Sequence, residues 1–291
     1  MRVLKEIFGT LGEILGFINK YFKAMIFLLL VYLIFFTGQS DEIKQANLAE
    51  IRLDDAIMDA NDVLEKIYAS SDDENIKAVL FNIDSPGGAL SPSVEISKAI
   101  KELNEKKPVI VYASGTMASG SYLSGVWARK ILANEGSFIG SIGVIMQGAN
   151  IENLANKIGI SEQTVKAGEY KEAGTFMRAW NEKERESLQN LVDKSYGFFV
   201  KEVANARHLN IDNNETWANA RVFLADDALK LGLIDEISTY KKAKSETEKI
   251  SGVLNPVWQE EPFYEKMLKR LETSTKSQIL GTFTNKILAI N

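Results

Sequence analysis

Two continuous apolar runs separated by a helical pattern constrain the fold of this 291-residue chain more than any other feature. Residues 78–83 (AVLFNI) and 109–113 (VIVYA) are almost wholly apolar, which is typical of parallel strands that are buried on both faces. Between them, Ser91-Pro92 marks a helix start, and apolar residues recur at helical spacing over 96–103. Strand, helix and strand in this order predict a βαβ unit within a layered α/β fold.

The second apolar run leads into a stretch of small residues, Gly115–Tyr122 (GTMASGSY). Apolar residues then return at helical spacing as far as Trp127, so the stretch predicts a tight strand-to-helix turn. Such a turn exposes its side chain and places free N–H groups beside it, which suits a nucleophile at Ser119. A Gly/Ser-rich turn at a helix start would explain the same residues without any chemistry.

A pair of glycines, Gly87-Gly88, follows the first apolar run. Glycine lets backbone N–H groups face a ligand closely, as an anion or oxyanion site requires, and it equally forms a plain tight turn. The sequence contains neither a Walker pattern nor a dinucleotide-binding pattern.

Composition excludes several classes of site. The net charge of -5 and the lack of a basic run argue against nucleic acid as the main partner. The chain has no cysteine, which excludes disulfides, thiolate nucleophiles and cysteine–zinc sites. Because His208 is the only histidine, a histidine-rich metal site is excluded as well, and a Ser-His-Asp triad would have to use that residue. We therefore expect no metal and no cofactor.

An apolar run without charge lies near the N-terminus at residues 24–37 (AMIFLLLVYLIFFT). It is shorter than the roughly 20 residues of a spanning helix, but Lys20 and Lys23 can snorkel and lengthen the span. No small-x-small cleavage site follows it, which argues against a signal-peptide core. Basic residues precede the run and acidic residues 41–42 follow it. This bias predicts an uncleaved anchor with a cytoplasmic N-terminus and the bulk of the chain outside.

These patterns divide the chain into four predicted parts. The first two are a cytoplasmic segment at 1–23, which is amphipathic over 1–18, and a transmembrane anchor at 24–40. The other two are a peptidase domain at 41–240 and a C-terminal part at 241–291, which consists of a charged linker (241–252) and an amphipathic tail. Within the domain we also predict a strand at 48–53, a helix at 54–69, and a long helix at 181–207 that begins with an Asn181–Glu184 capping pair.

Several short motifs occur in a characteristic order. They are Asp84–Gly88 (DSPGG), Met117–Gly120 (MASG), Gly140–Val144 (GSIGV), Lys166–Lys171 (KAGEYK) and, with Ala228, Gly232–Asp235 (GLID). Together they resemble the signal peptide peptidase A family of membrane-bound serine proteases, also called protease IV. The resemblance covers roughly residues 47 to 240.

The resemblance implies a fold, an assembly and a location. The implied fold is the crotonase-like or Clp-protease-like spiral of βαβ units, here with one N-terminal transmembrane helix. The single-copy length is similar to the short form, which assembles into a homo-oligomeric ring or dome. The implied location is the bacterial inner (cytoplasmic) membrane, and the implied substrates are cleaved signal peptides and other unfolded or hydrophobic peptides.

The resemblance also implies roles for particular residues. Ser119 would be the acylated nucleophile and Lys171 the general base. Ser141 would orient the lysine, and the N–H groups of Gly88 and Gly120 would form the oxyanion hole. In ring-forming relatives the serine and the lysine of one site can come from adjacent protomers.

A lysine base agrees with what the sequence leaves available. A serine hydroxyl needs a base at neutral pH, but His208 lies at a charged helix end far in sequence from the glycine-rich turns. A lysine serves as a base only when burial without a carboxylate partner lowers its pKa from about 10.4. Glu169 and Glu172 flank Lys171 and should therefore point away from it, while Lys166 is the competing lysine.

Apolar substrates require an apolar groove. The candidate lining residues are Leu90, Met117, Tyr122, Val144, Ile145 and Met146, most of which could equally belong to the core. One departure from the family pattern stands out, because alanines occupy positions 220 and 225, where glycines are usual. This departure puts the local turn geometry in doubt.

Three alternatives remain on sequence grounds. The first is a catalytically silent oligomeric membrane scaffold of the same fold, which retention of both Ser119 and Lys171 disfavours. The second is a stomatin-linked membrane protease, although its usual additional transmembrane helices are not evident. The third is acyl-CoA chemistry of the crotonase type, which a spanning anchor would separate from cytoplasmic acyl-CoA.

Overall fold

The computed structural model describes residues 16–29, 31–32 and 45–259. The chain separates into two compact units, Met1–Gln45 and Ala46–Asn291. In the first unit, residues 16–29 and 31–32 are helical and are labelled α1. Among the residues that the structure describes, no helix combines the length and the apolar character needed to cross a membrane.

Several predicted features fall wholly or partly outside the described residues. The predicted anchor at 24–40 is described only in part, as is the amphipathic segment at 1–18. The predicted tail is described only as far as Gln259. The anchor, the amphipathic segment and the tail therefore stay predictions.

A seven-stranded sheet forms the centre of the second unit. Its main path runs in the order β1-β2-β3-β4-β7, while β5 pairs with the end of β3 and β6 pairs with β5. Every pairing is parallel except the one between β5 and β6. The strands are β1 (Leu48–Asp54), β2 (Ala78–Ser85), β3 (Val109–Ala118), β4 (Lys130–Ala133), β5 (Phe138–Gly140), β6 (Val222–Leu224) and β7 (Glu236–Ile237).

Helices cover both faces of this sheet. They are α2 (Asn61–Asp72), α3 (Leu90–Lys106), α4 (Gly120–Gly125), α5 (Glu152–Lys157), α6 (Glu182–Arg207), α7 (Asn214–Trp217), α8 (Ala225–Lys230) and α9 (Tyr240–Ser251), with a 3-10 turn at Ile211–Asn213. Alternate strand residues point to opposite faces. Ile51, Phe81 and Val111 face the larger core with α2, α3, α4 and α6, whereas Leu80 and Tyr112 face a smaller cluster under α9.

The predicted βαβ unit is confirmed as β2–α3–β3, with Val79 opposite Val109 in a parallel register. The mixed α/β sheet with helices on its faces fits a Clp-protease-like fold. Strand β3 continues to Ala118, beyond the predicted end at Ala113, because its last residues pair with β5. The carboxyl ends of β2 and β3 consequently reach the two glycine-rich turns.

Two predicted elements are wrong. The helix predicted from residue 54 begins only at Asn61, because Ile57 instead forms a β-bridge with Gly88. The predicted linker at 241–252 is largely helix α9, which begins with Thr239 as its cap. Its buried face is built from Ala243 and Thr247, and such small residues give little hydrophobic signal within a highly charged segment.

The long helix α6 has the predicted start. The Asn181 side chain accepts a hydrogen bond from the Glu184 N–H at 2.9 Å, and the Glu184 carboxylate accepts one from the Asn181 N–H at 3.0 Å. This reciprocal capping box fixes the N-terminus of α6. At the other end, His208 is an exposed C-cap residue in the left-handed region, with φ 54°.

Candidate active site

Ser119 occupies a strained turn between β3 and α4. Its backbone has φ 54° and ψ -126°, a conformation that is rare for residues other than glycine. Its N–H donates a hydrogen bond to the carbonyl oxygen of Gly140 at 2.7 Å. Ser119 is partly exposed, whereas all of α4 is buried. The predicted strand-to-helix turn is thus present, and it holds one serine at the end of β3.

A second serine, Ser121, ties this turn to the end of β2. The Ser121 side chain is fully buried, and its hydroxyl lies 2.6 Å from the carbonyl oxygen of Ser85. The Ser121 Oγ in turn accepts a hydrogen bond from the N–H of Ala118 at 2.8 Å. The sequence analysis gave Ser121 no role, since only its place two residues after Ser119 could have drawn attention to it.

Gly87 packs directly against the Ser119 turn. Its φ is 91°, and a Cβ atom there would lie 2.6 Å from both the Ala118 carbonyl oxygen and the Gly120 nitrogen. Real Cβ atoms do not approach backbone atoms this closely, so the position requires glycine. The two glycine-rich turns identified in the sequence are therefore in contact.

The N–H of Gly88 points towards the same place. Ile57 donates its N–H to the Gly87 carbonyl at 2.9 Å and accepts the Ala89 N–H at 2.8 Å. The Gly87 carbonyl and the Gly88 N–H belong to one trans peptide group and point in opposite directions, so the Gly88 N–H faces away from Ile57. A Cβ atom on Gly120 would lie 3.2 Å from the Gly88 nitrogen. The Gly88 N–H thus lies beside the start of α4.

Gly120 supplies a second available donor. It is the first residue of α4, and its N–H therefore has no acceptor within the helix. Within residues 45–259 no hydrogen bond is formed by the N–H of either Gly88 or Gly120. Two neighbouring free N–H groups next to a serine hydroxyl can stabilise an oxyanion that develops there.

Ser141 follows Gly140, whose carbonyl oxygen accepts the hydrogen bond from the Ser119 N–H. It has φ 49°, and its N–H donates to the Arg221 carbonyl at 2.7 Å. The following carbonyl, of Ile142, accepts the N–H of Ala220 at 2.9 Å. These bonds hold the segment 140–142 between the Ser119 turn and the loop before β6.

The two alanines that replace family glycines behave differently. Ala220 adopts φ 54°, so it keeps a left-handed turn at the cost of strain. Its Cβ atom would lie 2.5 Å from a Cβ atom placed on Gly143. Ala225 is the buried first residue of α8 and carries no such strain. The doubt raised by the sequence therefore applies to Ala220 alone.

Lys171 is not bonded to any of these groups in the single chain. It is exposed and sits in a turn in which its N–H donates to the Gly168 carbonyl at 3.3 Å. Among the described residues, no hydrogen bond or ion pair involves its amine, and none joins it to Ser119. The structure of the single chain brings Ser119, Gly88, Gly120 and the backbone of 140–142 together, whereas Lys171 forms no hydrogen bond or ion pair with any of them.

The glutamates on either side of Lys171 are bound to other cations, in agreement with the expectation that they point away. Glu169 pairs with Lys183 at 2.7 Å, and Glu172 pairs with both Lys166 and, at 3.1 Å, Arg178. Hydrogen bonds from Lys166 and then Arg178 lower the pKa of the Glu172 carboxyl to about 2. Glu169 also raises the pKa of the Lys183 amine.

The candidate groove residues divide into two groups. Met117 and Tyr122 are fully buried, and the Tyr122 hydroxyl donates to the Leu233 carbonyl at 2.7 Å. Both side chains belong to the core, so the prediction that they line a groove is wrong. Leu90 and Val144 are partly exposed, whereas Ile145 and Met146 are 80% and 49% exposed. Residues 16–32 and 45–259, apart from residue 30, contain no cluster of three acidic, histidine or cysteine side chains suited to a metal ion.

Comparison with known proteins places the chain in a family. The model of peptidase family S49 matches residues 101–254. A candidate protease of Methanocaldococcus jannaschii is 39% identical over 184 residues, which cover 63% of this chain and 59% of that protein. A candidate protease of Synechocystis is 37% identical over 188 residues, which cover 65% of this chain and 68% of that protein.

A third relative carries the name that the motifs suggested. The chloroplastic serine protease SPPA of Arabidopsis thaliana is 34% identical over 185 residues, which cover 63% of this chain and 27% of that protein. The matches thus span less than two thirds of the Methanocaldococcus and Arabidopsis proteins. The resemblance to signal peptide peptidase A is confirmed, and the chain belongs to peptidase family S49.

Proposed function

We propose that this chain is a membrane-anchored serine endopeptidase in which Ser119 and Lys171 form the catalytic dyad. We further propose that it degrades cleaved signal peptides and other unfolded or hydrophobic peptides. The observation that carries the proposal is the strained Ser119 turn with two free N–H groups beside it, in a chain of peptidase family S49.

The proposed reaction follows the chemistry of a serine nucleophile. The Lys171 amine takes the proton of the Ser119 hydroxyl as its oxygen attacks the substrate carbonyl. The N–H groups of Gly88 and Gly120 bind the oxyanion of the tetrahedral intermediate. The resulting ammonium gives its proton to the leaving amine, and an acyl-enzyme remains. Water, activated by the same amine, then releases the acyl group, and Ser141 orients the lysine throughout.

Assembly is part of the proposal, because Lys171 is exposed in the single chain. The segment that carries it also exposes large apolar side chains, among them Ile145, Ile158, Val165 and Phe176. Apolar surface of this kind is typical of an interface. We propose that a neighbouring protomer of a homo-oligomeric ring or dome covers this segment, so that Lys171 of one copy serves Ser119 of the next.

The membrane anchor is likewise proposed. Its support is the charge-free run at 24–37 with basic residues before it, together with the exposure of Phe27, Leu28 and Leu29 on the described part of α1. In this arrangement the N-terminus is cytoplasmic and the peptidase domain lies on the outer side of the cytoplasmic membrane. Peptides that remain in the bilayer after signal-peptide cleavage would then lie close to the site.

The test is digestion of a defined signal peptide by the purified full chain, with the released fragments identified by mass spectrometry. We expect Ser119→Ala and Lys171→Met to abolish fragment release. Lys171→Met keeps most of the side-chain volume and removes only the amine. Lys157→Met, on the exposed face of α5, is the matched control and should digest normally. Normal digestion by Ser119→Ala would refute the proposed function.

Mixing two inactive variants tests the assembly. Ser119→Ala supplies an intact lysine and Lys171→Met supplies an intact serine. If the dyad forms between protomers, co-assembled variants regain part of the activity, whereas a dyad within one chain leaves the mixture inactive. Each variant alone is the control.

A further inference from the structure

A cluster of charged side chains closes the loop that carries Lys171. We call this cluster the clasp, and it consists of Lys166, Glu172, Arg178 and Glu184. Arg178 binds the Glu184 carboxylate with two nitrogens, at 2.7 and 2.8 Å, and binds Glu172 at 3.1 Å. Lys166 pairs with the same oxygen of Glu172. The clasp thus joins the two ends of the loop across Lys171.

The clasp is fixed to the rest of the fold through Glu184. The Glu184 side chain is fully buried and also forms the capping box at the N-terminus of α6. Arg178 holds the pKa of the Glu184 carboxyl at about 2, and the N–H of Asn181 contributes to this shift. Bidentate pairing between a guanidinium and a carboxylate is rigid and directional. The exposed loop around Lys171 is therefore held to the N-terminus of α6 by the ion pair between Arg178 and the buried Glu184.

The pairing within this region is selective. The loop and the first turn of α6 contain three lysines, at positions 166, 171 and 183. Lys166 is bound to Glu172 and Lys183 to Glu169, so both carboxylates adjacent to Lys171 are neutralised by other cations. Lys171 has no such partner among the described residues. A carboxylate beside an amine favours its charged form, which cannot act as a base.

We propose that Lys166, Arg178 and Lys183 are positioning residues that withhold Glu172 and Glu169 from Lys171 and so keep its amine available as a base. This inference rests on the proposed function of Lys171. It assigns to three cations a role in catalysis that requires no contact with substrate. It also explains why two glutamates can flank a general base without disabling it.

The other titratable groups around the loop include Glu162, which accepts a hydrogen bond from Thr164, and Glu182 in the first turn of α6. Tyr170 is adjacent to Lys171 on the loop itself, and Glu184 faces it from α6 through the clasp. From α5, Glu152 accepts a hydrogen bond from the Ala179 N–H at 3.1 Å. Arg185 lies next to Glu184 in the first turn of α6. None of these groups changes in the variants described below, so the comparison isolates Glu169 and Glu172.

The test measures the pH dependence of the rate at which a fluorophosphonate labels Ser119 in the full chain. Labelling needs an unprotonated base, so the rate falls along an acidic limb as pH decreases. In Lys166→Met/Lys183→Met both glutamates lose a lysine partner, and the limb should move to higher pH by about half a unit to one unit. At one pH unit below the midpoint of the wild-type limb, the double variant should be labelled about three- to tenfold more slowly than wild type.

Two matched variants separate this effect from altered folding or net charge. Adding Glu169→Gln and Glu172→Gln to the double variant removes both carboxylates, and the limb should return to its wild-type position. Lys98→Met/Lys201→Met makes the same change in net charge on exposed residues of α3 and α6, and its limb should not move. Rescue of the pH profile by removing two further groups is not expected of a merely structural defect.

A single substitution serves as the test if the double variant does not fold. Lys183→Met leaves the clasp intact, because Lys183 pairs only with the exposed Glu169. It should shift the limb in the same direction by a smaller amount, and Glu169→Gln should cancel the shift. An unmoved limb in these variants, or a shift that the glutamine substitutions leave in place, would overturn the inference. Failure of the proposed dyad is distinguishable, because Lys171→Met would then label at the wild-type rate.

Discussion

Ser119 and Lys171 lie in regions of the molecule that are packed very differently. The Ser119 turn is surrounded by buried elements, since Gly87, Ser121 and the segment 140–142 all contact it through backbone or buried side-chain atoms. Lys171 lies on an exposed loop whose order comes from ion pairs and from the capping box of α6. The proposed nucleophile and the proposed oxyanion donors are thus held in place by the core, while the proposed base lies on a loop that is held by ion pairs.

This difference suggests how activity can depend on assembly. Close packing fixes the Ser119 turn within one chain, so this part of the site needs no partner. The loop of Lys171 exposes its amine and several apolar side chains, and covering it would remove water from the amine. Under the proposed function, a site divided in this way would be complete only where two protomers meet.

The largest contrast is expected between two glycines with almost the same φ angle. Gly87 and Gly174 have φ values of 91° and 95°, but a Cβ atom would meet backbone atoms at Gly87 and nothing within 4 Å at Gly174. Gly174→Ala should lower the free energy of unfolding by about 1 kcal/mol, the cost of the conformation alone. Gly87→Ala should lower it by about 3 kcal/mol or more, because the Ser119 turn must move.

Urea denaturation of the two glycine variants measures this contrast. Fluorophosphonate labelling of Ser119 gives a second reading, since only Gly87→Ala disturbs the turn that holds the serine. Equal losses of stability would show that the Ser119 turn is not more tightly packed than the Lys171 loop.

Acid should loosen the Lys171 loop through Glu184 and Glu172. The pKa of each carboxyl is lowered to about 2 by its cation partners, below the usual value of about 4.3. A lowered pKa in the folded state stabilises the protein above the unfolded pKa, and this contribution is lost as pH falls towards 2. Wild-type urea midpoints should therefore fall between pH 5 and pH 3.

Glu184→Gln tests the part that Glu184 plays in this acid sensitivity. The variant should have a lower urea midpoint than wild type at pH 7, because its amide cannot replace the charge that Arg178 binds. Its midpoint should also fall less steeply between pH 5 and pH 3, with Glu172 supplying the remaining slope. A slope equal to that of wild type would mean that Glu184 contributes no charge-dependent stability.

The smallest effect is expected at Ala220. This residue adopts φ 54°, which glycine accepts without a steric penalty. Ala220→Gly should raise the free energy of unfolding by about 0.5 to 1 kcal/mol, since relief of strain exceeds the added freedom of the unfolded chain. Thermal unfolding measures the change, with Ala218→Gly, which is buried and has negative φ, as the destabilised control.

Local patterns predicted the part of the fold that holds Ser119. The apolar runs of β2 and β3, the helix between them and the turn after β3 each have a signal within a few residues. Helix α9 was missed because Ala243 and Thr247, which form its buried face, are too small to stand out among charges. The start of α2 was misplaced because the bridge between Ile57 and Gly88 is a long-range contact.

The turn that carries Ser119 was predictable from the sequence, but the surroundings of the site were not. Motif order predicted roles for Ser119 and Lys171, and these roles stay predictions. No local pattern shows that Met117 and Tyr122 point into the core. Strand and helix residues on either side of a turn are apolar whether they line a groove or fill the interior. The partners of Glu169 and Glu172 were not predictable either. Lys183, for example, pairs with Glu169 although the two residues lie far apart in sequence.

The account depends most on Lys171 acting as the base for Ser119. The most direct measurement is the rate constant for fluorophosphonate labelling of Ser119 in the full chain, compared among wild type, Lys171→Met and Lys157→Met. Loss of a general base predicts labelling that is about 10²- to 10⁴-fold slower in Lys171→Met and unchanged in Lys157→Met. Labelling of Lys171→Met at the wild-type rate would contradict the account.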